Sequence, residues 1–239
     1  MNRPGAEADE RNLKNLFKDL SFRVIVKKDL KKHEIERVAQ KYGAVDHSKF
    51  DAFVFILMSH GGDRDCILGV DGRETTLKNL MFEFRGSKCP SLKNKPKVII
   101  IQTCRGLRDD VSKRLVFSTG NINSPMAMVA STPAQIDNEP CDIALLPRDS
   151  TLPRSVFPQE ADFVLAFATV PGYVSFRFPD GTFFIQALVE VMREHHHRYH
   201  FLEMLTEVTK LVVERQSNMA AHPVQVPAPM HTMTKLLYL

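Results

Sequence analysis

Apolar and polar positions recur along the chain with a period that predicts several amphipathic helices. Residues 7–19 (EADERNLKNLFKD) and 30–43 (LKKHEIERVAQKYG) carry apolar side chains at helical spacing. The second pattern stops at Gly43, a residue typical of a helix C-cap. A shorter helical pattern, LKNLMFEF, lies in the first half of the chain, and FFIQALVEVMREHHH and FLEMLTEVTKLVVERQ predict two longer helices near its end.

Nearly continuous apolar runs predict strands that are buried on both faces of a sheet. Such runs occur in FDAFVFILMSHGG, KPKVIIIQTCRG and ADFVLAFATV. An extended run, FRVIVKK, follows the first helix, and MHTMTKLLYL at the end of the chain predicts a closing strand. Because strands and helices alternate, the pattern predicts an α/β fold with a doubly wound sheet.

Residues 107–158 interrupt this alternation. The segment contains six of the 14 prolines, only two aromatic residues and no sustained helical or strand period. A segment of this length without secondary structure is uncommon inside a domain and indicates a functional or a disordered stretch, although a surface insertion without function is the plain alternative. We therefore divide the chain into the regions 1–106, 107–158 and 159–239, with the middle region as a flexible linker.

Composition narrows the class of protein. The chain has 239 residues, of which 44% are hydrophobic and 25% charged, as in a soluble globular protein with a sizeable core. The formal charge is +4, but the lysines at 27–32 lack interleaved aromatics and a nucleic-acid motif, so we expect no nucleic-acid partner.

The lack of a recognisable targeting signal and the small number of cysteines predict a cytoplasmic protein. No apolar run reaches the roughly 18 residues that a membrane span requires, so we expect no membrane partner. The first residues, MNRPGAEADERN, are polar and acidic, unlike a signal peptide. Four cysteines are too few for a scaffold that depends on disulfides, which agrees with a reducing compartment.

Reactive side chains follow two of the predicted strands. His60 follows FVFILM and Cys104 follows VIIIQT. Because sites in open α/β sheets lie just outside the carboxyl ends of the strands, this thiol and this imidazole can form a nucleophile–base pair. Glycines beside them leave backbone N–H groups free to hold an oxyanion. A cysteine alone would be better explained as a buried small hydrophobe, and a histidine alone as a turn residue, but their joint placement is more specific.

The run IIIQTCRG resembles the caspase signature, Gln-Ala-Cys-[Arg/Gln/Gly]-Gly, which has a histidine about 50 residues upstream. His60 lies 44 residues before Cys104. Other segments are similar to the family in the same order, namely RPGAEADERNL, Ser-His-Gly at 59–61, EADFVLAFATVPGYVSFRFPDGTFFIQAL and VPAPMHTMTKLLYL. The resemblance covers nearly the whole chain. It implies a mostly parallel sheet of about six strands with helices on both faces, built from a large and a small subunit region.

The resemblance implies an aspartate-specific cysteine endopeptidase of apoptotic or related signalling that uses neither a metal nor an organic cofactor. Cys104 would be the nucleophile, His60 the catalytic base and acid, and the N–H groups of Gly61 and Cys104 the oxyanion hole. Six residues would bind the substrate and its aspartate: Arg3, Gln102, Arg177, Ser175, Val174 and Phe176. Two planar guanidiniums suit this task because each binds a carboxylate through a fork of hydrogen bonds.

Processing and partners also follow from the resemblance. Caspases are made as single-chain zymogens and are often cut after aspartates between the subunits. Asp149, which precedes a small serine in a proline-rich stretch, is the preferred site and Asp142 the second. The expected partners are protein substrates with aspartate before the scissile bond, a second copy bound through the small-subunit region, and inhibitors or adaptors of caspases. Because Arg3 is so close to the first residue, we expect a prodomain to be absent from this chain.

Departures from the family pattern leave alternatives open. Thr103 stands where alanine is usual, and its hydroxyl needs a partner if it is buried, although alternation along a strand would direct it away from the reacting groups. Phe178 and the segment NMAAHPVQVP occupy regions that shape the outer substrate pockets. The main alternative is therefore a weak or inactive caspase-like regulator that binds an active caspase.

Two further functions and a metal site fit the sequence less well. A relative that cuts after Arg or Lys would need carboxylates in the specificity pocket. A nucleotide-binding flavodoxin-like module would need a glycine-rich loop after its first strand. Four histidines lie at the end of a predicted helix but lack an accompanying acidic or cysteine ligand set, which favours a solvated helix end over a metal site. These are His195, His196, His197 and His200.

Overall fold

The computed structural model describes residues 5–61, 65–105, 159–217 and 225–239. The helices in these residues are α1 (Ala6–Asp19), α2 (Lys32–Gly43), α3 (Leu77–Phe82), α4 (Phe183–His195) and α5 (Phe201–Ser217), with a short 3-10 turn at Pro90–Leu92. The strands are β1 (Phe53–Met58), β2 (Cys66–Leu68), β3 (Glu74–Thr76), β4 (Lys97–Gln102), β5 (Phe163–Phe167), β6 (Arg177–Phe178), β7 (Gly181–Thr182) and β8 (Ala228–His231). Each helix predicted from periodicity is present. The predicted linker at 107–158 lies outside the described residues.

The central sheet has the strand order β1-β4-β5-β8. The first three strands are parallel, with Phe53 opposite Lys97 and Lys97 opposite Phe163, whereas β8 runs antiparallel at one edge. The α/β class and the mostly parallel sheet are therefore confirmed. Of the six strands that the resemblance implies, the described residues contribute four to this sheet, and the run at 22–28 belongs to no strand there.

Side chains of the sheet alternate between two hydrophobic clusters. Val98 and Ile100 of β4 pack with α1, α4 and α5, whereas Ile99 and Ile101 pack with α2 and α3. Every residue of β4 is buried, which explains its continuous apolar run. Burial of each such side chain stabilises the fold by about 1.5–3 kcal/mol. Helices therefore cover both faces of the sheet, as predicted.

Gly43 has a different role from the one that its position at a helix end predicts. It is the last residue of α2, and the capping residue is Ala44, with an ordinary φ of −91°. A Cβ atom on Gly43 would lie 2.5 Å from the carbonyl oxygen of Glu83. The glycine therefore allows α2 to approach the backbone that follows α3, rather than supplying a left-handed cap.

Three smaller features complete the architecture. The closing strand β8 begins two residues earlier than the predicted segment and ends at His231. Two short antiparallel hairpins were not predicted: β2–β3, which follows β1 in the chain, and β6–β7, which follows β5. No helix in the described ranges is both long and apolar enough to cross a bilayer.

Candidate active site

The carboxyl ends of β1 and β4 bring His60 and Cys104 to the same edge of the sheet. Met58 pairs with Gln102, and the N–H of Ser59 donates to the carbonyl of Gln102 over 3.2 Å. His60 and Cys104 each follow this pair by two residues. Neighbouring strands lie about 4.8 Å apart, so the chain segments that carry the thiol and the imidazole leave the sheet side by side.

Gly61 lies against the backbone that carries Cys104. A Cβ atom on Gly61 would overlap the carbonyl oxygen of Cys104 and lie 2.8 Å from the Cβ of Thr103. Gly61 also bridges Ile67, and the adjacent ladder bond runs from the N–H of Leu68 to the carbonyl of His60 over 3.0 Å. This pattern leaves the N–H of Gly61 outside the ladder. The absence of a side chain thus permits the close contact between the two loops.

Thr103 is buried, with 3% of its surface exposed, and its side chain lies against Gly61. Alternation along a strand predicted that this side chain would face away from the reacting groups. β4 ends at Gln102, one residue before Thr103. The threonine that departs from the family pattern therefore contacts the residue that follows His60.

Ser175 lies between Gln102 and Cys104. The Nε2 of Gln102 donates to the Oγ of Ser175 over 2.7 Å, and the N–H of Ser175 points to the Sγ of Cys104 at 3.5 Å. Gln102 is 1% exposed, and its Oε1 accepts no hydrogen bond from the residues that the structure describes. Such a buried acceptor needs a donor from a ligand or from a residue beyond the described ones.

Arg177 lies in β6, directly after the segment that contains Val174, Ser175 and Phe176. All four residues are half-buried. The Nε of Arg177 is buried and has no hydrogen-bond partner in the described part of the chain. Arg177 pairs with Thr182 across the β6–β7 hairpin, so this hairpin fixes the backbone position from which the arginine side chain extends. Of the residues predicted to bind substrate, Ser175 therefore contacts Cys104, and Val174, Phe176 and Arg177 belong to the same short segment.

Three residues of the predicted site lie outside the described residues, namely Arg3, Asp142 and Asp149. The first described residue, Gly5, packs against the β6–β7 hairpin. A Cβ atom on Gly5 would overlap the carbonyl oxygen of Phe178, the residue after Arg177.

Arg105 is a residue of the site to which sequence reasoning assigned no role. It is buried directly after Cys104, and its Nε donates to the Oδ1 of Asp65 over 2.7 Å. Its guanidinium carbon lies 3.7 Å from the ring centre of Phe167, and its backbone N–H donates to the carbonyl of Tyr173 over 3.1 Å. Arg105 therefore attaches the end of the Cys104 loop to the sheet and to the next loop. The arginine in IIIQTCRG was the available signal.

Gln225 is the second residue that sequence reasoning did not single out. Its Oε1 accepts a hydrogen bond from the N–H of Phe176 over 2.8 Å, so it contacts the segment predicted to bind substrate. The segment NMAAHPVQVP was assigned to the outer pockets as a whole, but nothing in its composition distinguishes Gln225 from its neighbours.

The histidines near the end of α4 contact their neighbours along the chain. The ring of His195 lies 4.8 Å from that of Tyr199, and the Nε2 of His200 lies 3.5 Å from a carboxylate oxygen of Glu203. Within the described ranges, no three or more His, Cys, Asp or Glu side chains are arranged to hold a metal ion.

Comparisons with known proteins point to one family. A family model described as the caspase domain matches residues 1–238. Caspase-3 of Bos taurus is 34% identical over 242 aligned residues, which cover 99% of this chain and 77% of that protein. Caspase-8 of Rattus norvegicus is 33% identical over 238 residues, which cover 99% of this chain but only 45% of that protein.

Proposed function

The chain belongs to the caspase family of cysteine peptidases, and on this premise we propose that it is an endopeptidase that cleaves proteins after aspartate. The observation that carries the proposal is the arrangement around Cys104. Its loop leaves the sheet beside that of His60, and its Sγ lies 3.5 Å from the N–H of Ser175 in the segment that leads to Arg177. A nucleophile, a base and a cationic group thus lie on adjoining segments.

The reaction begins when His60 takes the proton of the Cys104 thiol and the thiolate attacks the carbonyl carbon of the substrate. The resulting oxyanion is held by the N–H groups of Gly61 and Cys104; no carbonyl in the described part of the chain accepts either of them. The C–N bond then breaks, His60 protonates the leaving amine, and a thioester remains. Water, deprotonated by His60, attacks the thioester, which releases the acid and restores the thiol.

Recognition of aspartate is assigned to Arg3, Arg177 and Gln102. The buried Nε of Arg177 supports this assignment, because it is a hydrogen-bond donor without a partner in the described residues. Gly5, two residues after Arg3 in the sequence, packs on Phe178 of the hairpin that carries Arg177. A site that pairs buried guanidiniums with a carboxylate rejects substrates without one by about 10⁴-fold or more.

Processing and assembly complete the proposal. The chain is a zymogen that is cut after Asp149, or after Asp142, to separate a large from a small subunit. Two copies associate through the small-subunit region, which is consistent with β8 at the edge of the sheet and with Met230, 56% exposed, on that strand. Its cellular role is in apoptotic or related signalling in the cytoplasm, with inhibitors or adaptors of caspases as further partners.

The second candidate function is an inactive regulator that binds an active caspase. One observation favours it: the Thr103 side chain lies against Gly61, where a displaced backbone would weaken the oxyanion hole. Substitution of Thr103 by alanine separates the two functions, because an active enzyme keeps its turnover whereas a regulator inactivated by this residue gains it.

Cleavage of matched reporter peptides tests the proposed peptidase. Peptides that end in Asp, Asn or Arg before the scissile bond are incubated with the chain and with Cys104→Ala, at concentrations and salt that favour dimers. We expect turnover after Asp alone and none with the variant. Turnover after Arg would overturn the specificity, and no turnover of any peptide would overturn the peptidase. Mass spectrometry of the active preparation should find fragments ending at Asp149 or Asp142, and an intact active chain would contradict the processing.

A further inference from the structure

Gln225 is 1% exposed and satisfies all four of its polar groups inside the protein. Its side-chain Nε2 donates to the carbonyl of Ala168 over 2.9 Å, and its Oε1 accepts from the N–H of Phe176 over 2.8 Å. Its backbone N–H and carbonyl form two hydrogen bonds of 2.6 Å with the side-chain amide of Gln216. Buried polar groups persist only when they are paired in this way, so the amide is held firmly in place.

The partners of Gln225 belong to the rigid part of the fold on one side and to the substrate-binding segment on the other. Gln216 lies in α5, where its Nε2 also donates to the carbonyl of Val212 over 2.8 Å. Ala168 directly follows β5, and its N–H donates to the carbonyl of Ile101 in β4 over 2.9 Å. Phe176, in contrast, lies between Ser175 and Arg177. Gln225 is therefore a direct connection from the core to the segment beside Cys104.

We propose that Gln225 is a positioning residue that sets the place of segment 174–177 for substrate binding, an inference that rests on the proposed peptidase function. A shift of the Phe176 backbone moves both of its neighbours. The N–H of Ser175 then moves away from the Sγ of Cys104, and Arg177 is displaced from its pairing with Thr182 in the hairpin. Phe176 is half-buried, so the segment borders solvent and has room to move outward once the anchor is lost. The segment then moves outward while the fold persists.

Glutamine suits this position because one end of its amide donates and the other accepts. Methionine has a similar length and volume but offers neither group, so it fills the site without holding Phe176. Glutamate keeps an acceptor for the N–H of Phe176 and loses the donor to Ala168. The two variants therefore distinguish the contact with the segment from the contact with the core.

Kinetics of Gln225→Met in the full chain test the inference with the Asp reporter peptide. A displacement of about 1 Å in a binding group costs roughly 10²-fold, so we expect KM to rise about 10-fold to 100-fold while kcat changes less than about threefold. Gln225→Glu should give an intermediate KM. The matched control is Thr75→Val, which removes a buried hydrogen bond of 2.8 Å to Glu36 at a different place in the fold. A similar loss of Tm with an unchanged KM is expected there.

Hydrogen exchange of the peptide that contains residues 174–177 provides a readout independent of catalysis. We expect the amide of Phe176 to lose protection in Gln225→Met and to keep it in Thr75→Val. Unchanged protection, or an unchanged KM in an active enzyme, overturns the inference, and Gln225→Glu decides the matter if the methionine variant does not fold. If the unsubstituted chain cleaves no reporter, the peptidase proposal fails, while the exchange measurement still decides whether Gln225 holds the segment.

Discussion

Asp9 and Thr182 form two buried hydrogen bonds although they are 173 positions apart in the chain. The N–H of Thr182 donates to the Oδ1 of Asp9 and its hydroxyl to the Oδ2, each over 2.9 Å. Thr182 also pairs with Arg177 across the β6–β7 hairpin, and its Oγ1 accepts from the N–H of Ile185 at the start of α4. The negative charge of Asp9 is favourable beside this helix N-terminus. One carboxylate thus joins α1, α4 and the hairpin of the candidate site.

Substitution Asp9→Ala should lower the free energy of unfolding by about 2–4 kcal/mol, because the N–H and hydroxyl of Thr182 would stay buried without an acceptor. Denaturant titration monitored by circular dichroism measures this change. The control is Asp51→Ala, which removes an exposed carboxylate and should change the stability by less than about 0.5 kcal/mol. Equal effects of the two substitutions would contradict the importance of the Asp9 contact.

Substitution Gly61→Ala should reduce kcat/KM by about 100-fold or more. The new methyl group would overlap the carbonyl oxygen of Cys104 and clash with the Thr103 side chain, so the loops that carry His60 and Cys104 must separate. Steady-state cleavage of the Asp reporter measures the loss. Gly86→Ala provides the comparison, since its methyl group would lie 3.6 Å from the nearest atom, the Cγ of Lys93, and should leave turnover near that of the unsubstituted chain. Full activity of the Gly61 variant would show that the close contact is dispensable.

The ion pair between Arg105 and Asp65 should contribute about 1 kcal/mol of coupling to the free energy of unfolding. Arg105 is largely buried, but 39% of the Asp65 side chain is exposed, so solvent weakens the attraction. A double-mutant cycle of Arg105→Met and Asp65→Asn measures the coupling. Asparagine tolerates the φ of +56° at this position, which makes the second variant conservative.

The exposed pair of Lys28 and Glu10, with the lysine side chain 59% exposed, serves as the control for Arg105 and Asp65. Its coupling should be smaller and should disappear as salt is added, because exposed charges are screened. The Arg105 coupling should persist in the same salt. Loss of both couplings at equal salt would contradict the distinction between the two pairs.

Lys97 should make stability depend on pH in the alkaline range. Burial lowers the pKa of Lys97 below its usual value of 10.5, against the opposing influence of Asp162. Between the lowered value and 10.5, the unfolded chain retains a proton that the folded chain has lost. The free energy of unfolding should therefore rise with pH in this interval relative to Lys97→Met, and the difference should be constant below it. Urea titrations of both proteins from pH 7 to 10 measure it, and a flat or falling difference would contradict the prediction.

Much of the fold could be predicted because its signals are local. Helical periodicity identified α1 to α5, and the continuous apolar run of KPKVIIIQTCRG identified β4, which is buried at every position. The predicted role of Gly43 as a helix C-cap was wrong. The constraint on this glycine comes from the backbone of Glu83, at the end of α3, and not from the end of its own helix. The short hairpins β2–β3 and β6–β7 were missed because two or three residues carry too little periodicity to detect.

In the candidate site, too, the residues with a local sequence signal were predicted and those without one were missed. Cys104 and His60 could be placed at strand ends because the strands before them have a clear pattern, and the motif around Cys104 indicated the family. Gln225 could not be identified, because its role depends on the distance to Phe176, which lies on a separate loop. Its neighbours in NMAAHPVQVP give no sign of that contact.

The amino-acid sequence alone determined the α/β class, the alternation of elements and the family, since hydrophobic period and short motifs are properties of consecutive residues. Tertiary structure alone decided which distant groups hold the site together. Asp9 reaches Thr182, and Arg105 stacks on Phe167, only after the sheet has brought their segments within a few ångströms. Hydrogen bonds and ring contacts act over such short distances, so the packing of the elements, and not the order of the residues, selects the partners.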